Sequence, residues 1–379
     1  MAEPLPAEDV SPRARQWAET MAGHVGAELV RAHAGSHARV GPGQVVDRLT
    51  REAYERDTLR PGATLAVGAG HRARPEAPDP ERTCFERDRD RIVHSTAFRR
   101  LAGKTQVVVH PSDHQRTRLT HAIEVAQVAT SIARGAGVNV ALADAIALGH
   151  DCGHGPGGHA SEDAFDAFLP EGYDHGPWGA DVVLADLNLC AETLDGIRNH
   201  SWSRPAPTTV EGEIVSWADR IAYCAHDLED AVHAGIVDLD ELPDEIAQVC
   251  GRTRREQLGH FVRAVIRTVD RHGEVGMPPA SAAALAALRT FNYERIYVRL
   301  ESLAQSRAVV AVLRALVEHY AARPGAVPGV PAAPPGSDLA VRAAVTYVAG
   351  MTDRYAFDTA VRELAWDPAR LPQGVDRLV

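Results

Sequence analysis

Residues 150–162 read His150-Asp151-Cys152-Gly153-His154-Gly155-Pro156-Gly157-Gly158-His159-Ala160-Ser161-Glu162. This stretch holds three imidazoles and two carboxylates, and its glycines keep the backbone compact. Adjacent side chains point apart on regular structure, so His150 and Asp151 can reach one ion only where a helix ends and the chain turns. Imidazole nitrogen with carboxylate oxygen suits Mn²⁺, Fe²⁺, Co²⁺ or Zn²⁺ better than Ca²⁺. The stretch therefore predicts a metal site at a helix end, with a polar capping loop as the simpler alternative.

A metal ion needs more ligands than two neighbouring residues supply, and His121 is a candidate for the third. His121, Val125, Val128 and Ile132 are spaced by four, three and four residues, which places them on one face of a helix. Taken alone, a histidine on an apolar face is more often a core residue. The nearby His150-Asp151 pair makes a ligand the better interpretation.

Asp219 is the candidate for a fourth ligand. It lies on a long amphipathic helix, in a polar stripe that continues through Tyr223, His226 and Asp230. A carboxylate at the edge of the core is costly without a partner, so we expect it to meet a cation. By itself, such a residue is more often found on a helix surface.

The order His121, His150-Asp151, Asp219 resembles that of the HD-domain metal phosphohydrolases. Further segments are similar to bacterial deoxyguanosinetriphosphate triphosphohydrolase-like (dGTPase-like) proteins. These segments are residues 91–101, 103–107, 116–121, 196–201, 218–223, 226–231 and 350–354. The resemblance covers about residues 81–236 and a patch near 345–360, and it is weak before 80 and between about 240 and 340.

This resemblance implies an all-α enzyme that splits a deoxynucleoside triphosphate (dNTP) into deoxynucleoside and intact triphosphate. It implies a divalent cofactor, Mn²⁺, Mg²⁺, Fe²⁺, Co²⁺ or Zn²⁺, held by His121, His150, Asp151 and Asp219. It assigns the acid/base pair to His159 and Glu162. By the same resemblance, the phosphates would be contacted by His154, His175 and Arg118, and the deoxyribose by Gln106, Tyr223 and Asp227.

The expected chemistry is consistent with these roles. Attack on an α-phosphorus requires charge neutralisation on the phosphate oxygens, an acidified water and a proton for the departing 5′-oxygen. A bound metal supplies the first two. Histidine carries a proton either way near neutral pH, and Glu162 could orient His159 and favour its charged form. The direction of proton transfer at His159 is left open.

Gly157 departs from the resemblance, because the family usually has an aromatic residue at this position. A missing large side chain beside His159 and Glu162 predicts extra volume or a looser loop. Either effect would bear on substrate preference first and on activity to a smaller degree.

Composition limits the class of protein. The chain has 379 residues, 45% of them hydrophobic, and a formal net charge of −11, which argues against binding along a nucleic-acid duplex except in a regulatory role. Its five cysteines are widely spaced and form no C-x-x-C motif, as expected in a reducing cytosol. We therefore expect a cytoplasmic protein that does not span a membrane.

The expected domains are an N-terminal helical and loop region at 1–80, a catalytic core at 81–236 and a C-terminal helical region at 237–379. Helical patterns are predicted over 11–59, 86–236, 243–272, 280–321 and 338–364, and a Pro/Gly-rich connector over 321–338. The fold class is all-α, with N- and C-terminal elaborations around the core.

Three functions are compared: a dNTP triphosphohydrolase, another HD phosphohydrolase acting on monophosphates, cyclic nucleotides or alarmones, and a nucleotide sensor with weak activity. The resemblance also implies a homo-oligomer and an allosteric nucleotide. Arginines between 82 and 104 alternate with acidic residues, which indicates either a solvated helix face or a phosphate or subunit contact.

Overall fold

Helices make up almost all of the regular structure of this chain. The computed structural model describes residues 10–26, 28–107, 115–329 and 333–373. The chain divides into two compact units, the first ending at Val46 and the second beginning at Asp47. The first unit contains helix α1 (Pro12–Thr20) and two short antiparallel strands, β1 (His24–Val25) and β2 (Val30–Arg31).

The second unit contains the remaining α-helices of the described residues. They are α2 (Arg48–Thr58), α3 (Cys84–His94), α4 (Thr96–Arg100), α5 (Arg118–Ala136), α6 (Val140–Gly149), α7 (Ala160–Phe165), α8 (His175–Trp178), α9 (Ala191–Asn199), α10 (Val210–His233), α11 (Asp244–Cys250), α12 (Arg254–His272), α13 (Pro279–Asn292), α14 (Leu300–Ala322), α15 (Asp338–Ala349) and α16 (Asp353–Leu364). Two single π-helical turns, Gly179–Val183 and Tyr293–Tyr297, follow α8 and α13.

Local sequence sets the ends of the helices that carry the candidate metal ligands. The Asn139 side chain accepts a hydrogen bond from the Leu142 N–H at the start of α6, and Thr209 does the same for Gly212 at the start of α10. Helix α5 ends at Gly137, which has a left-handed φ of +71°. These caps fix the start of α6, the start of α10 and the end of α5.

Two apolar clusters form the interior of the second unit. The first is built around α3, α5, α6, α9, α10 and α12, with fully buried residues such as Val125, Ile146 and Ile221. The second is built around α7, α14, α15 and α16 and includes Phe165 and Val312. The helices of these clusters bury their apolar faces against one another, and this burial is the main favourable contribution to folding.

The histidine-rich stretch lies where the two clusters meet. It leaves α6 in the first cluster at Gly149 and enters α7 in the second at Ala160. Cys152 packs in the first cluster. Residues 150–159 therefore connect the two clusters, and Asp151, His154, Gly157 and His159 of this stretch line the pocket described below.

The predicted all-α fold is confirmed. Four of the predicted helical segments are wrong in part. Within 11–59, residues 21–26 and 28–47 hold the short strand pair and irregular chain instead of helix. Segment 243–272 is interrupted between Cys250 and Arg254, and segment 280–321 contains the π-helical turn Tyr293–Tyr297 before α14 begins. Within 338–364, the helix stops at Ala349 and α16 begins anew at Asp353, where the Thr352 side chain accepts a hydrogen bond from the Tyr355 N–H.

The predicted connector overlaps the end of α14, which runs to Ala322, and residues 330–332 of it lie outside the described chain. Among the described residues, no helix has the length and apolarity needed to cross a membrane.

Candidate active site

The four predicted metal ligands meet at one point. His121 lies in the first turn of α5, His150 and Asp151 directly follow α6, and Asp219 lies in the middle of α10. The His121 Nε2 is 3.0 Å from the Asp219 Oδ1, and the His150 Nε2 is 3.4 Å from the Asp151 Oδ1 and 3.7 Å from the Asp219 Oδ1. Helix α6 ends at Gly149, and the chain turn there lets two adjacent side chains face the same space.

The donor atoms of this group are suited to a cation. The His150 Nδ1 lies 2.6 Å from the Ala147 carbonyl oxygen, so Nδ1 carries the hydrogen and Nε2 presents its lone pair. This buried Nε2 has no hydrogen-bond partner among the described residues. Ligand atoms of His121, His150 and Asp219 lie within 4.8 Å of one another. A lone pair facing two carboxylates in a buried site is what a divalent metal would satisfy.

Asp151 also pairs with Arg118. The Arg118 Nη1 donates to the Asp151 Oδ2 at 2.7 Å, and both side chains are almost fully buried. Burial opposes ionisation, but the charge of Arg118 and the neighbouring histidines hold the pKa of Asp151 well below its usual range. The Arg118 Nε and Nη2 are buried without an acceptor in the described part of the chain. They are free to bind an anion in the pocket.

Glu162 lies among three histidines. Its Oε1 is 2.5 Å from the His175 Nδ1, 3.5 Å from the His159 Nδ1 and 3.6 Å from the His154 Nδ1. Although burial opposes it, hydrogen bonds from His159 and His175 hold the pKa of Glu162 below its usual range. The His159 side chain is 72% exposed, whereas His154 and His175 are buried and stack at 3.8 Å. His159 is thus the one that faces solvent in the pocket.

The protonation state of His175 follows from its neighbours. The His200 Nδ1 donates to the Ile197 carbonyl at 2.8 Å, which leaves the His200 Nε2 to accept from the His175 Nε2, 3.1 Å away. Burial lowers the pKa of His200 to about 3. Burial would also lower the pKa of His175, but the hydrogen bond and charge of Glu162 raise it. Neutral His200 and cationic His175 form one consistent network.

The residues predicted to contact the sugar line the same pocket, which encloses about 460 Å³. Gln106, Tyr223 and Asp227 all face it. The Tyr223 hydroxyl accepts from the Arg289 Nε at 2.8 Å. The buried Asp227 accepts from Arg116 and from the hydroxyl of Tyr297.

Several pocket residues were not predicted from the sequence. Arg289, Tyr297 and Gln305 come from the region after 240, where the resemblance is weak. His200 lies in segment 196–201 and Arg220 in segment 218–223, which both resemble the family, but neither residue was assigned a role from the sequence. The Arg220 guanidinium stacks over the Trp202 ring at 3.4 Å. The sequence signal for Arg220 was its position directly after Asp219, a proposed metal ligand.

The expectation of extra volume or a looser loop at Gly157 is wrong. Gly157 has a left-handed φ of +74°, and a Cβ atom added there would lie 2.4 Å from the Val309 Cγ1 of α14. Its N–H donates to the Asp353 Oδ1 at 2.8 Å. Val309 therefore occupies the space that a side chain at residue 157 would need, and the loop is held in place.

Comparison with known proteins agrees with this geometry. The HD domain model matches residues 118–224, and the phosphohydrolase-associated domain model matches residues 275–362. A deoxyguanosinetriphosphate triphosphohydrolase-like protein of Caldanaerobacter subterraneus subsp. tengcongensis is 38% identical over 312 residues, which cover 80% of this chain and 92% of that protein. The chain belongs to this family. A deoxyguanosinetriphosphate triphosphohydrolase-like protein of Clostridium perfringens is 38% identical over 320 residues, which cover 93% of that protein. Another, from Deinococcus radiodurans, is 35% identical over 365 residues, which cover 98% of that protein.

The protein is therefore an HD-domain phosphohydrolase, and its four candidate ligands all fall within the HD match. Tyr297 and Asp353 fall within the phosphohydrolase-associated match. The pocket of this HD phosphohydrolase thus combines residues from both matched regions. The predicted boundary at 236 between core and C-terminal region stays a prediction.

Proposed function

We propose that this protein hydrolyses deoxynucleoside triphosphates to deoxynucleoside and intact triphosphate, in a reaction that depends on a divalent metal. The observation that carries the proposal is the meeting of His121, His150, Asp151 and Asp219 beside a pocket that is also lined by His159, whose ring lies against Glu162. The family name of the relatives supports the same substrate class.

The metal would be held by the two imidazoles and two carboxylates of this site. Such an ion, whether Mn²⁺, Mg²⁺, Fe²⁺, Co²⁺ or Zn²⁺, supplies Lewis acidity to a phosphate oxygen and lowers the pKa of bound water. Asp219 is suited to ligation because its pKa lies below its usual range: burial opposes this, but His121 and His150 outweigh it. It is therefore ionised throughout the neutral range.

The acid/base work falls to His159 in this proposal. Its ring is exposed in the pocket, and its Nδ1 lies 3.5 Å from the Glu162 carboxylate, which is placed to hold the ring. As the water oxygen bonds to the α-phosphorus, the bond from phosphorus to the 5′-oxygen breaks, and a proton from His159 neutralises the departing oxygen. The attacking water releases a proton to solvent, and His159 regains its proton from solvent before the next turnover. Glu162 orients the ring for this transfer.

Substrate contacts are assigned to two sides of the pocket. Arg118 has two unpaired donor nitrogens, and with neutral His154 it would bind the phosphates. Both ring nitrogens of His175 are engaged by Glu162 and His200, so His175 would act on the phosphates through its positive charge. On the sugar side, Gln106 would contact the 3′-hydroxyl. Tyr223 and Asp227 would pack along the sugar, and a close fit there would reject a ribose 2′-hydroxyl.

A homo-oligomer, an activating nucleotide and a cytoplasmic location stay predictions drawn from the resemblance and the composition. Light scattering with and without added dNTP would test the first two together. The alternative of a sensor with weak activity rested on Gly157, and the packing of Gly157 against Val309 removes that support. Another HD phosphohydrolase activity is an outcome of the following assay.

The decisive assay combines each dNTP and each NTP with several divalent metals and separates the products by anion exchange. Unbroken triphosphate and deoxynucleoside are expected, with little turnover of NTPs. In water labelled with ¹⁸O, the label should enter the triphosphate, because attack is at phosphorus. Release of only pyrophosphate or orthophosphate would contradict the proposal, and hydrolysis of monophosphates or cyclic nucleotides alone would favour the alternative.

A further inference from the structure

Asp353 links the C-terminal helices to two segments of the active site. It is the first residue of α16 and is only 6% exposed. Its Oδ2 accepts from the Thr105 N–H at 3.0 Å and from the Thr105 hydroxyl at 2.5 Å. Its Oδ1 accepts from the Gly157 N–H at 2.8 Å. One carboxylate thus binds two chain segments that are far apart in sequence.

Lys104 makes a second link between the same parts of the molecule. Its buried Nζ donates to the carbonyl oxygens of His154 and Ala349, the latter at 3.0 Å. Burial lowers the pKa of Lys104 to about 8. The Thr352 side chain packs directly on Gly103, since a Cβ atom added to Gly103 would lie 2.8 Å from the Thr352 Cγ2. The end of α15 and the start of α16 are therefore locked to residues 103–105.

Both bound segments carry side chains of the pocket. Gln106 directly follows Thr105, and His159 follows Gly157 by two residues. Neither residues 104–107 nor residues 153–158 form a helix or a strand, apart from an isolated bridge between Thr105 and Thr117. The contacts from Asp353 and Lys104 therefore help to fix both segments, while Ser161 and Tyr173 also bind the backbone of residues 153–158.

We propose that Asp353 is a positioning residue for the active site, which sets the orientation of Gln106 and of the loop that presents His159. The inference rests on the proposed function only for the roles of those two side chains. An ionised carboxylate only accepts hydrogen bonds, which suits the three donors around it. An amide at this position would turn one oxygen into an N–H group that faces another N–H group.

The first test is kinetic and uses Asp353→Asn in the full chain. We expect kcat to fall about 10²-fold, as for a displacement of about 1 Å in an active site, with a raised KM for dNTP and unchanged metal content. Thr105→Val, which removes the hydroxyl and keeps the shape, should show a smaller loss of the same kind. Thr105→Ser keeps the hydroxyl and should restore most of the activity. Asp358→Asn is the matched control, because Asp358 is an exposed carboxylate on the same helix.

The second test needs no substrate turnover. In hydrogen exchange followed by mass spectrometry, Asp353→Asn should increase exchange in peptides that contain the amides of Thr105 and Gly157, while peptides of α5 and α10 stay as in the wild type. If Asp353→Asn does not fold, Thr105→Val is measured in its place.

The outcomes separate the two proposals. If Asp353→Asn alters exchange at Thr105 and Gly157 but the wild type hydrolyses no dNTP, the proposed function is wrong and the positioning role is retained. Wild-type kcat, KM and local exchange in Asp353→Asn, or a lowered melting temperature as its only effect, would overturn the positioning role. The same results in Thr105→Val would overturn it where Asp353→Asn is not available.

Discussion

Asp219 reaches the proposed metal site from α10, whereas His150 and Asp151 come from the end of α6. Its Oδ1 lies 3.0 Å from the His121 Nε2 and 3.7 Å from the His150 Nε2. We expect Asp219→Ala to lose both bound metal and turnover, because the remaining ligands then lack the carboxylate that faces both imidazoles. Metal analysis and the triphosphate assay would measure the two effects. Glu229→Gln, at a partly exposed carboxylate on the same helix, is the control, and stoichiometric metal in Asp219→Ala would contradict the assignment.

His159 can be tested separately from the metal, since it is not among the four proposed ligands. We expect His159→Ala to keep its metal content and to lose about 10²-fold in kcat, the scale usual for a general acid or base. His94→Ala alters an exposed histidine at the end of α3 and should leave kcat unchanged. Unchanged kinetics in His159→Ala would remove this residue from the mechanism.

Single residues differ in how far the sequence alone reveals them. The adjacent His150-Asp151 pair stands out because few structural roles require that combination. The hydrogen bond that His200 accepts from His175 could not be deduced from the sequence. It depends on the Ile197 carbonyl binding the Nδ1 of His200, which leaves its Nε2 as the acceptor. Tyr297 was also missed, because its contact with Asp227 joins elements 70 residues apart.

Gly157 is best tested at the scale of elements, because it joins the histidine-rich loop to α14. Gly157→Ala should destabilise the fold by at least about 1 kcal/mol, the cost of a left-handed backbone for an L-residue, and the clash with Val309 adds to this cost. Denaturant unfolding would measure the change, and Val309→Ala in the same chain should restore part of it.

Gly325→Ala is the matched control, because the space around Gly325 is open within the described structure and its φ is not positive. Equal stability of Gly157→Ala and the wild type would show that this loop is not held as described.

Helices were predicted from the sequence better than their interruptions. The apolar period identifies α5 and α10 along their length, since each buries one continuous face. The break between α15 and α16 was not predicted, because Ala349 to Asp353 carries no proline. The break serves contacts between distant segments: it lets the Ala349 carbonyl accept a hydrogen bond from Lys104 and the Asp353 carboxylate accept one from Thr105.

The stability of the whole molecule should depend on pH through its buried neutral histidines. Burial lowers the pKa of both His200 and His226 to about 3, against about 6.5 in an unfolded chain. Between these values the unfolded state binds more protons, so stability falls as the pH drops from about 6.5 towards 3. His175, whose pKa is raised, acts in the opposite direction, and so do carboxyl groups whose pKa burial raises, such as Asp227 and Asp353. The contribution of a buried neutral histidine is therefore measured as the difference between the wild type and His226→Gln.

Urea unfolding of the metal-free protein at pH 7, 6 and 5 would measure this trend, and His226→Gln should make the slope shallower. Equal slopes in the wild type and His226→Gln would contradict it.

At the scale of the molecule, the fold class was predictable, but the composition of the pocket was not. A helical pattern in almost every segment allows only an all-α fold. Which distant segments share a pocket depends on how the two apolar clusters pack against each other, and local periodicity carries no information on that. Arg289 reaches the site from a region whose sequence shows only an ordinary amphipathic helix, whereas Asp353 lies in the family-like segment 350–354, for which the sequence indicated no role.

The bonds from Asp353 to Thr105 and Gly157 have a consequence for synthesis of the chain. Translation proceeds from the N-terminus, so the four candidate ligands, at positions 121 to 219, are synthesised before Asp353. A nascent chain would then already contain the candidate metal ligands, while the loop at Gly157 still lacks its hydrogen bond to Asp353. Full hydrolytic competence would arise only after α16 has left the exit tunnel, so an incomplete product could sequester a metal ion without consuming nucleotides.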